Sequence, residues 1–237
     1  MTTNITFPEK AVWNTLKDLD LSYSNISYIH YYKSSNPGYL DLAHFENLER
    51  ITLTDNKSIQ GIRCANIEDK PITLDTGALY GCSTSYLYGN FVINGTRVFT
   101  DCSSLTLNSQ RIYNNYALLS YPVPFVDNAE ACNITFSESL NSTEEMFNGC
   151  GSLSGNDFTM IMLKLHENIT SLNKMFMNCY AVDAEIKYDL FRHCPNVTNI
   201  TSFAEGTSLK GGIYSRLDTY DPEDSLTWGT FDFLPHL

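Results

Sequence analysis

The chain has 237 residues, and 43% of them are hydrophobic, enough for a long continuous core. Charged residues are only 18% and the net charge is −12, so the clustered Lys and Arg that grip nucleic-acid phosphates are excluded. No apolar run reaches the ~18 residues of a membrane-spanning helix, which excludes insertion by that route.

Met1 to Lys10 carries neither the basic stretch nor the apolar segment of a secretory signal. That leaves two readings, an unexported chain or a piece of a longer protein. Leu16, Leu19 and Leu21 then fit the frame L-x-x-L-x-L-x-x-N, with Asn25 one place late and Ile26 and Ile29 extending the apolar series. Tyr31 to Tyr39, rich in Ser, Asn, Pro and Gly, predicts a surface loop. Leu48, Ile51, Leu53 and Asn56 fit the same frame without a gap. The L-x-L segment predicts a short strand with period-two burial. The Asn predicts a turn whose free backbone groups its side chain satisfies.

Asp75-Thr76-Gly77 is the sharpest catalytic look-alike. Aspartic proteases use such a loop so that two carboxylates share a proton and activate water. A single copy would need a homodimer. The competing reading is a turn, with Asp75 or Thr76 capping a short helix that leads to Leu79 and Cys82.

A seven-residue phrase, Phe-x-x-Cys-x-x-Leu or Val, then recurs. It reads Phe99, Cys102, Leu105; Phe147, Cys150, Leu153; Phe176, Cys179, Val182; and Phe191, Cys194, Val197. Degenerate copies flank it at Leu79, Cys82, Ser85 and at Phe203, Gly206, Leu209. Such self-similarity predicts stacked structural units sharing one interior. Tyr121-Pro-Val-Pro-Phe125 cannot form a central strand, so residues 109–130 read as an irregular excursion. Strands are predicted over Cys132 to Phe136, Phe158 to Met162, Ala184 to Tyr188 and Val197 to Ile200. Short helices are predicted over Ser142 to Phe147 and Ser171 to Met177, the first with acidic residues in its first turn. Gly211-Gly212 and Asp221-Pro222-Glu223-Asp224 predict turns, and Trp228 to Leu237 ends the chain in an apolar stretch.

The seven Cys residues show no C-x-x-C pair and no metal-ligand spacing with His, so neither a disulfide framework nor a zinc site is expected. A small buried hydrophobe reused at one register explains them. His193 adjoins Cys194, but sequence neighbours on a helix point apart, so no nucleophilic dyad is expected. The carboxylates of Asp218 to Asp224 lack calcium-loop offsets. Nine Asn-x-Ser/Thr sequons are explained by Asn turning the chain and Ile-Thr or Val-Thr entering a strand. No catalytic, cofactor or metal residues are therefore assigned. Tyrosines cluster at Tyr28, Tyr31 and Tyr32, at Tyr80, Tyr86 and Tyr88, and at Tyr113, Tyr116 and Tyr121. Tyr offers a large contact area with a polar handle, so Tyr28, Tyr31, Tyr32, Tyr86 and Tyr88 are candidate partner contacts.

The phrases Val98-Phe-Thr-Asp-Cys-Ser-Ser-Leu105, Met146-Phe-Asn-Gly-Cys-Gly-Ser-Leu153, Asn168 to Cys179 and Leu190-Phe-Arg-His-Cys-Pro-Asn-Val197 resemble bacterial leucine-rich repeat surface proteins of the BspA-like kind. They are also similar to bacterial surface repeats built on MF-x-x-C-x-x-L. The resemblance covers roughly residues 75–215. Similar repeats occur in gut and oral bacteria, in parasites and in phages of such bacteria. The resemblance implies attachment, recognition or assembly, and no catalytic residues. The chain departs from the family in spacing, with 48 residues separating Cys102 from Cys150, 29 Cys150 from Cys179 and 15 Cys179 from Cys194.

The expectation is an α/β solenoid, a right-handed leucine-rich-repeat coil of short parallel strands with turns and brief helices on the convex side. It is expected to form one domain over 1–237. Plain repeats would fill 1–70, Phe-x-x-Cys repeats 75–215, and a cap or docking tail 216–237. About eight coils at about 5 Å each would make a body of roughly 40 Å. The expected role is a non-enzymatic structural or attachment module in a phage virion, contacting other proteins as a homo-oligomer or in a mixed assembly. The alternatives are a fragment of a bacterial surface adhesin and, distantly, a dimeric protease using Asp75.

Overall fold

A computed structural model describes residues 3–6, 15–24, 26–30, 39–42, 45–64, 70–107, 132–186, 190–191 and 193–211. The loop at 31–38, the excursion at 109–130, the turns and tail beyond Gly211, and Tyr31, Tyr32, Tyr113, Tyr116 and Tyr121 lie outside the described residues.

The strands are short and pair in parallel. They are β1 (Thr3–Thr6), β2 (Asp18–Asp20), β3 (Ile26–His30), β4 (Tyr39–Leu42), β5 (Arg50–Thr52), β6 (Gly61–Cys64), β7 (Ile72–Leu74), β8 (Tyr86–Ile93) and β9 (Cys132–Phe136). Two-residue strands β10 (Glu185–Ile186) and β11 (Lys210–Gly211) pair with each other. One ladder runs β2, β5, β7, the second half of β8, then β9. Another runs β4, β6 and the first half of β8. β8 serves both because it turns a corner at Gly89, whose φ of +120° is open to glycine. A β-carbon there would also lie 3.2 Å from Cys64 Cβ. The result is a solenoid-like α/β fold of parallel strands.

One hydrophobic cluster runs from Leu19 to Leu209. Every Phe, Cys and Leu or Val of the four full phrases is buried in it, as are Leu48, Ile51 and Leu53, and Asn56 lies buried beside them; Leu16 and Ser85 are half-buried and Gly206 is exposed. The Phe rings pile along the axis. Phe99 and Phe147 stack with centroids 5.2 Å apart, and Phe147 and Phe176 with centroids 5.4 Å apart. Near-parallel rings at this separation are one of the two favoured aromatic geometries. Here the strand spacing of about 4.8 Å imposes it.

Phe158 to Met162 is not a strand but the end of helix α1 (Gly155–Met162). Ser154 caps it, accepting from the Asp157 amide while the Asp157 carboxylate accepts from the Ser154 amide. That cap, with Phe158, Ile161, Met162 and Leu165 buried at helical spacing, outweighs the β-favouring composition. Phe158 then meets Phe176 edge-on at 4.9 Å. Conversely, the helices expected at Ser142 to Phe147 and Ser171 to Met177 are hydrogen-bonded turns. Glu145 and Lys174 sit at φ +52° and +53°, which a helix of L-residues cannot contain. The segment from Asp75 to Cys82 is likewise a turn, with the Ala78 amide on the Asp75 carbonyl at 3.0 Å. Val197 to Ile200 supplies an isolated bridge at Asn199, and of Ala184 to Tyr188 the described residues supply β10, residues 187–188 lying outside the description.

Candidate partner-binding face

The Phe-x-x-Cys turns form a column. Backbone amides of each turn donate to carbonyls of the next. Leu21 donates to Thr52, Leu53 to Ala78, Leu79 to Val98, Phe99 to Met146, Phe147 to Met175, and Phe176 to Phe203. These bonds align Leu53, Leu79, Phe99, Phe147 and Phe176, and place Ala204 rather than Phe203 opposite Phe176. The final degenerate copy is therefore one residue out of the expected register. The fourth phrase is buried as expected, but elsewhere on the coil. The Thr198 amide donates to the Thr170 carbonyl and the Thr170 amide to Asn141, which aligns Val197 with Ile169 and Leu140 rather than with the ends of the other three phrases. The recurring phrase thus marks two different turns.

In the column each thiol has a donor's role. Cys82 Sγ lies 2.6 Å from the Leu53 carbonyl, Cys102 2.8 Å from Leu79, Cys150 3.0 Å from Phe99 and Cys179 3.0 Å from Phe147. Asn56 holds the same place one turn earlier, its amide 3.2 Å from the Leu21 carbonyl. Its Oδ1 accepts from the Ser58 and Ile59 amides. Burial pushes the Cys82 and Cys179 thiols up to about 12, and drives Cys102 and Cys150 in the same direction. These sulfurs remain protonated and inert at neutral pH.

Two left-handed positions recur four residues apart. One holds Gly77, Arg97, Glu145, Lys174 and Ser202, and the other Tyr23, Asp55, Gly81, Asp101, Gly149, Asn178 and Gly206. Within the first, Arg97 pairs with Glu145 at 3.2 Å, and Lys174 with Glu145 at 3.6 Å.

The ladder of β2, β5 and β7 presents its own outward row. Strand alternation buries Leu19, Ile51, Ile72 and Leu74, and turns Asp18, Arg50 and Thr73 outward. Register sets Asp18 opposite Arg50 and Arg50 opposite Thr73. Arg50 bridges Asp18 at 3.3 Å and Asp75 at 3.4 Å. Asn94 donates to Asp75 at 2.9 Å, and Ser139 donates to Asn94 at 3.3 Å. Successive coils are thereby stitched by one polar chain. An open groove of about 350 Å³ runs beside Arg50, lined by Glu46, Glu49, Lys70 and Thr73 among others.

Asp75 thus has its oxygens engaged by a guanidinium and an amide, the reverse of a carboxylate sharing a proton with its twin. Cys194 is buried and His193 partly exposed. Among the described residues no cluster of His, Cys, Asp or Glu could hold a metal ion. No helix among them is long and apolar enough to cross a membrane.

Of the tyrosines, Tyr86 and Tyr88 lie half-buried in β8, with the Arg63 guanidinium 5.8 Å from the Tyr88 ring centroid. Tyr28 belongs to β3, its side chain outside the description. Among the described residues, the most exposed large apolar residues are instead Tyr23 and Tyr180, at 77% and 66%. Sequence reasoning missed these two, and missed Asp18, Arg50 and Asn94. The alternation in Asp-Leu-Asp and Arg-Ile-Thr was a signal for the outward row. Nothing local distinguished the exposed tyrosines.

No protein-family model, no curated protein and no solved structure matches this chain.

Proposed function

We propose that this chain is a non-enzymatic structural or attachment module that makes contacts with other proteins. The observation that carries the reading is the outward polar row Asp18, Arg50, Asp75 and Asn94, cross-linked from coil to coil. Side chains already held in place lose little freedom on binding, so such a row favours a specific partner over a diffuse one. The rigid stack beneath it fixes their spacing.

The coil is of the leucine-rich-repeat kind in this reading. The buried Asn56 supports it, because that side chain satisfies turn groups on two coils as the Asn of the repeat frame requires. The setting is a phage particle. That part of the proposal rests on the likeness of the Phe-x-x-Cys phrases to repeats found in such proteins.

Cross-linking mass spectrometry on the native source tests the reading. Lys17, Lys57 and Lys70 should link to a second protein species, and the Arg50→Glu chain should lose those links while staying folded. Links confined to this chain, in native material, would sink the proposal.

A further inference from the structure

The chain holds two Asn-Gly pairs, Asn94-Gly95 and Asn148-Gly149. Glycine has no side chain to shield its own amide nitrogen, so that nitrogen can close on the side-chain carbonyl carbon of the Asn before it. The fold treats the two pairs differently. The Gly149 amide donates to the Met177 carbonyl at 2.9 Å, one of the bonds of the turn column. Asn148 is half-buried, and its Oδ1 accepts from Asn178 at 3.4 Å. At the other pair, nothing among the described residues accepts the Gly95 amide. Asn94 is exposed, one place beyond β8, where the chain bends.

Both neighbouring coils supply the surroundings of Asn94. Ser139 donates to its Oδ1 at 3.3 Å and so polarises the side-chain carbonyl. Its Nδ2 donates to Asp75 at 2.9 Å. Gly95 has no tolerable replacement, because a β-carbon there would collide with the Thr76 backbone nitrogen. Packing therefore dictates the glycine, and the outward polar row dictates the asparagine.

We propose that Asn94 is a self-modification site, converting to aspartyl and isoaspartyl forms and thereby opening the polar row. Hydroxide takes the Gly95 amide proton, and the nitrogen forms a bond to Asn94 Cγ. The charge that develops on Oδ1 faces the Ser139 hydroxyl. The Cγ–Nδ2 bond then breaks, and Nδ2 leaves as ammonia with a proton from water, which restores the hydroxide. Water opens the imide ring at either carbonyl. A carboxylate now stands where an amide donated to Asp75, and two like charges oppose each other. Arg50 still holds Asp75, so the break falls between the coils of β7 and β8. The site itself needs no partner. Its consequence rests on the reading above, because the row that opens is the row assigned to a partner, and binding declines as the chain ages.

The test uses the purified full-length chain alone, so its failure is distinct from that of the cross-linking experiment on native material. Folded and urea-unfolded samples are held in mildly alkaline buffer and compared by peptide mass mapping, with enzymatic methylation marking isoaspartate. Unfolded, the two pairs should convert at similar rates. Folded, Asn94 should convert at least tenfold faster than Asn148, whose glycine amide is freed only by local opening. Equal folded rates, a faster Asn148, or an intact Asn94 once the unfolded chain has converted would overturn the site. The consequence is measured on Asn94→Asp, which should lower the urea midpoint at neutral pH. Adding Asp75→Asn should restore the midpoint by removing the opposed charge. A midpoint unmoved by Asn94→Asp, or no rescue by Asp75→Asn, would overturn the opening of the row.

Discussion

Asp101 and Gly149 occupy the same left-handed position in successive turns, and a β-carbon on Gly149 would lie 2.6 Å from Asp101 Oδ1. The pair is one of three. A β-carbon on Gly81 would meet Asp55 Oδ1 at 2.4 Å, and one on Gly206 would meet Asn178 Oδ1 at 3.2 Å. From Asp55 to Gly206 the column alternates a short polar side chain with a glycine. Asp and Asn tolerate the left-handed conformation better than other side chains, and the intervening glycine makes room for each.

Gly149→Ala should therefore destabilise by about 1–3 kcal/mol, from backbone strain plus the clash with Asp101. Asp101→Gly in the same chain should recover the clash component but not the strain. Urea unfolding of the wild type, Gly149→Ala, Asp101→Gly and the double variant measures this. Equal cost with and without Asp101→Gly would show that the two positions do not oppose each other.

Asn56→Ala should cost about 2–3 kcal/mol. The change leaves the Ser58 and Ile59 amides short of a partner, while the Leu21 carbonyl keeps the Ser24 hydroxyl at 2.7 Å. Cys150→Ala should cost less, because the Phe99 carbonyl still receives the Cys102 amide at 3.0 Å. Denaturant midpoints in the opposite order would overturn the donor roles given to these side chains.

Stability should fall in alkali. The folded pKa values of Cys82 and Cys179 are raised to about 12, above an ordinary value of 9.0, because burial penalises the thiolate. A raised folded value means the contribution is complete below pH 9 and is lost as pH rises toward 12. Each such thiol removes about 1.4 kcal/mol per pH unit inside that window. Urea midpoints at pH 8 and pH 10.5 should differ accordingly, and identical midpoints would refute the buried-thiol account.

Asp75→Asn should change stability by no more than about 0.5 kcal/mol, since its ion pair with Arg50 is roughly half exposed on both sides. Neither form should hydrolyse casein. Hydrolysis by the wild type that disappears in Asp75→Asn would revive the protease reading.

The repeat phrases made the core legible from sequence. Phe99, Phe147, Phe176 and their Cys and Leu partners are apolar at fixed spacing because each coil needs the same cover, and that demand is local. The α1 segment was half legible. Its cap, Ser154 and Asp157, was in the sequence, but its β-branched and aromatic content pointed the other way. The turns at Glu145 and Lys174 were misread because nothing in a charged residue announces a positive φ. Bonds to the next turn hold them there, the Glu145 amide on Asn173 and the Lys174 amide on Thr201.

Sequence by itself determined which residues go inside and that the units repeat, because burial and turn formation depend on residues a few places apart. Tertiary structure alone decided which turn lies on which. It put Phe191, Cys194 and Val197 on a different turn from the three phrases they copy, and joined Arg50 to Asp75. The stacking bonds link residues 19 to 47 positions apart, and their register depends on how many residues each coil spends before it returns.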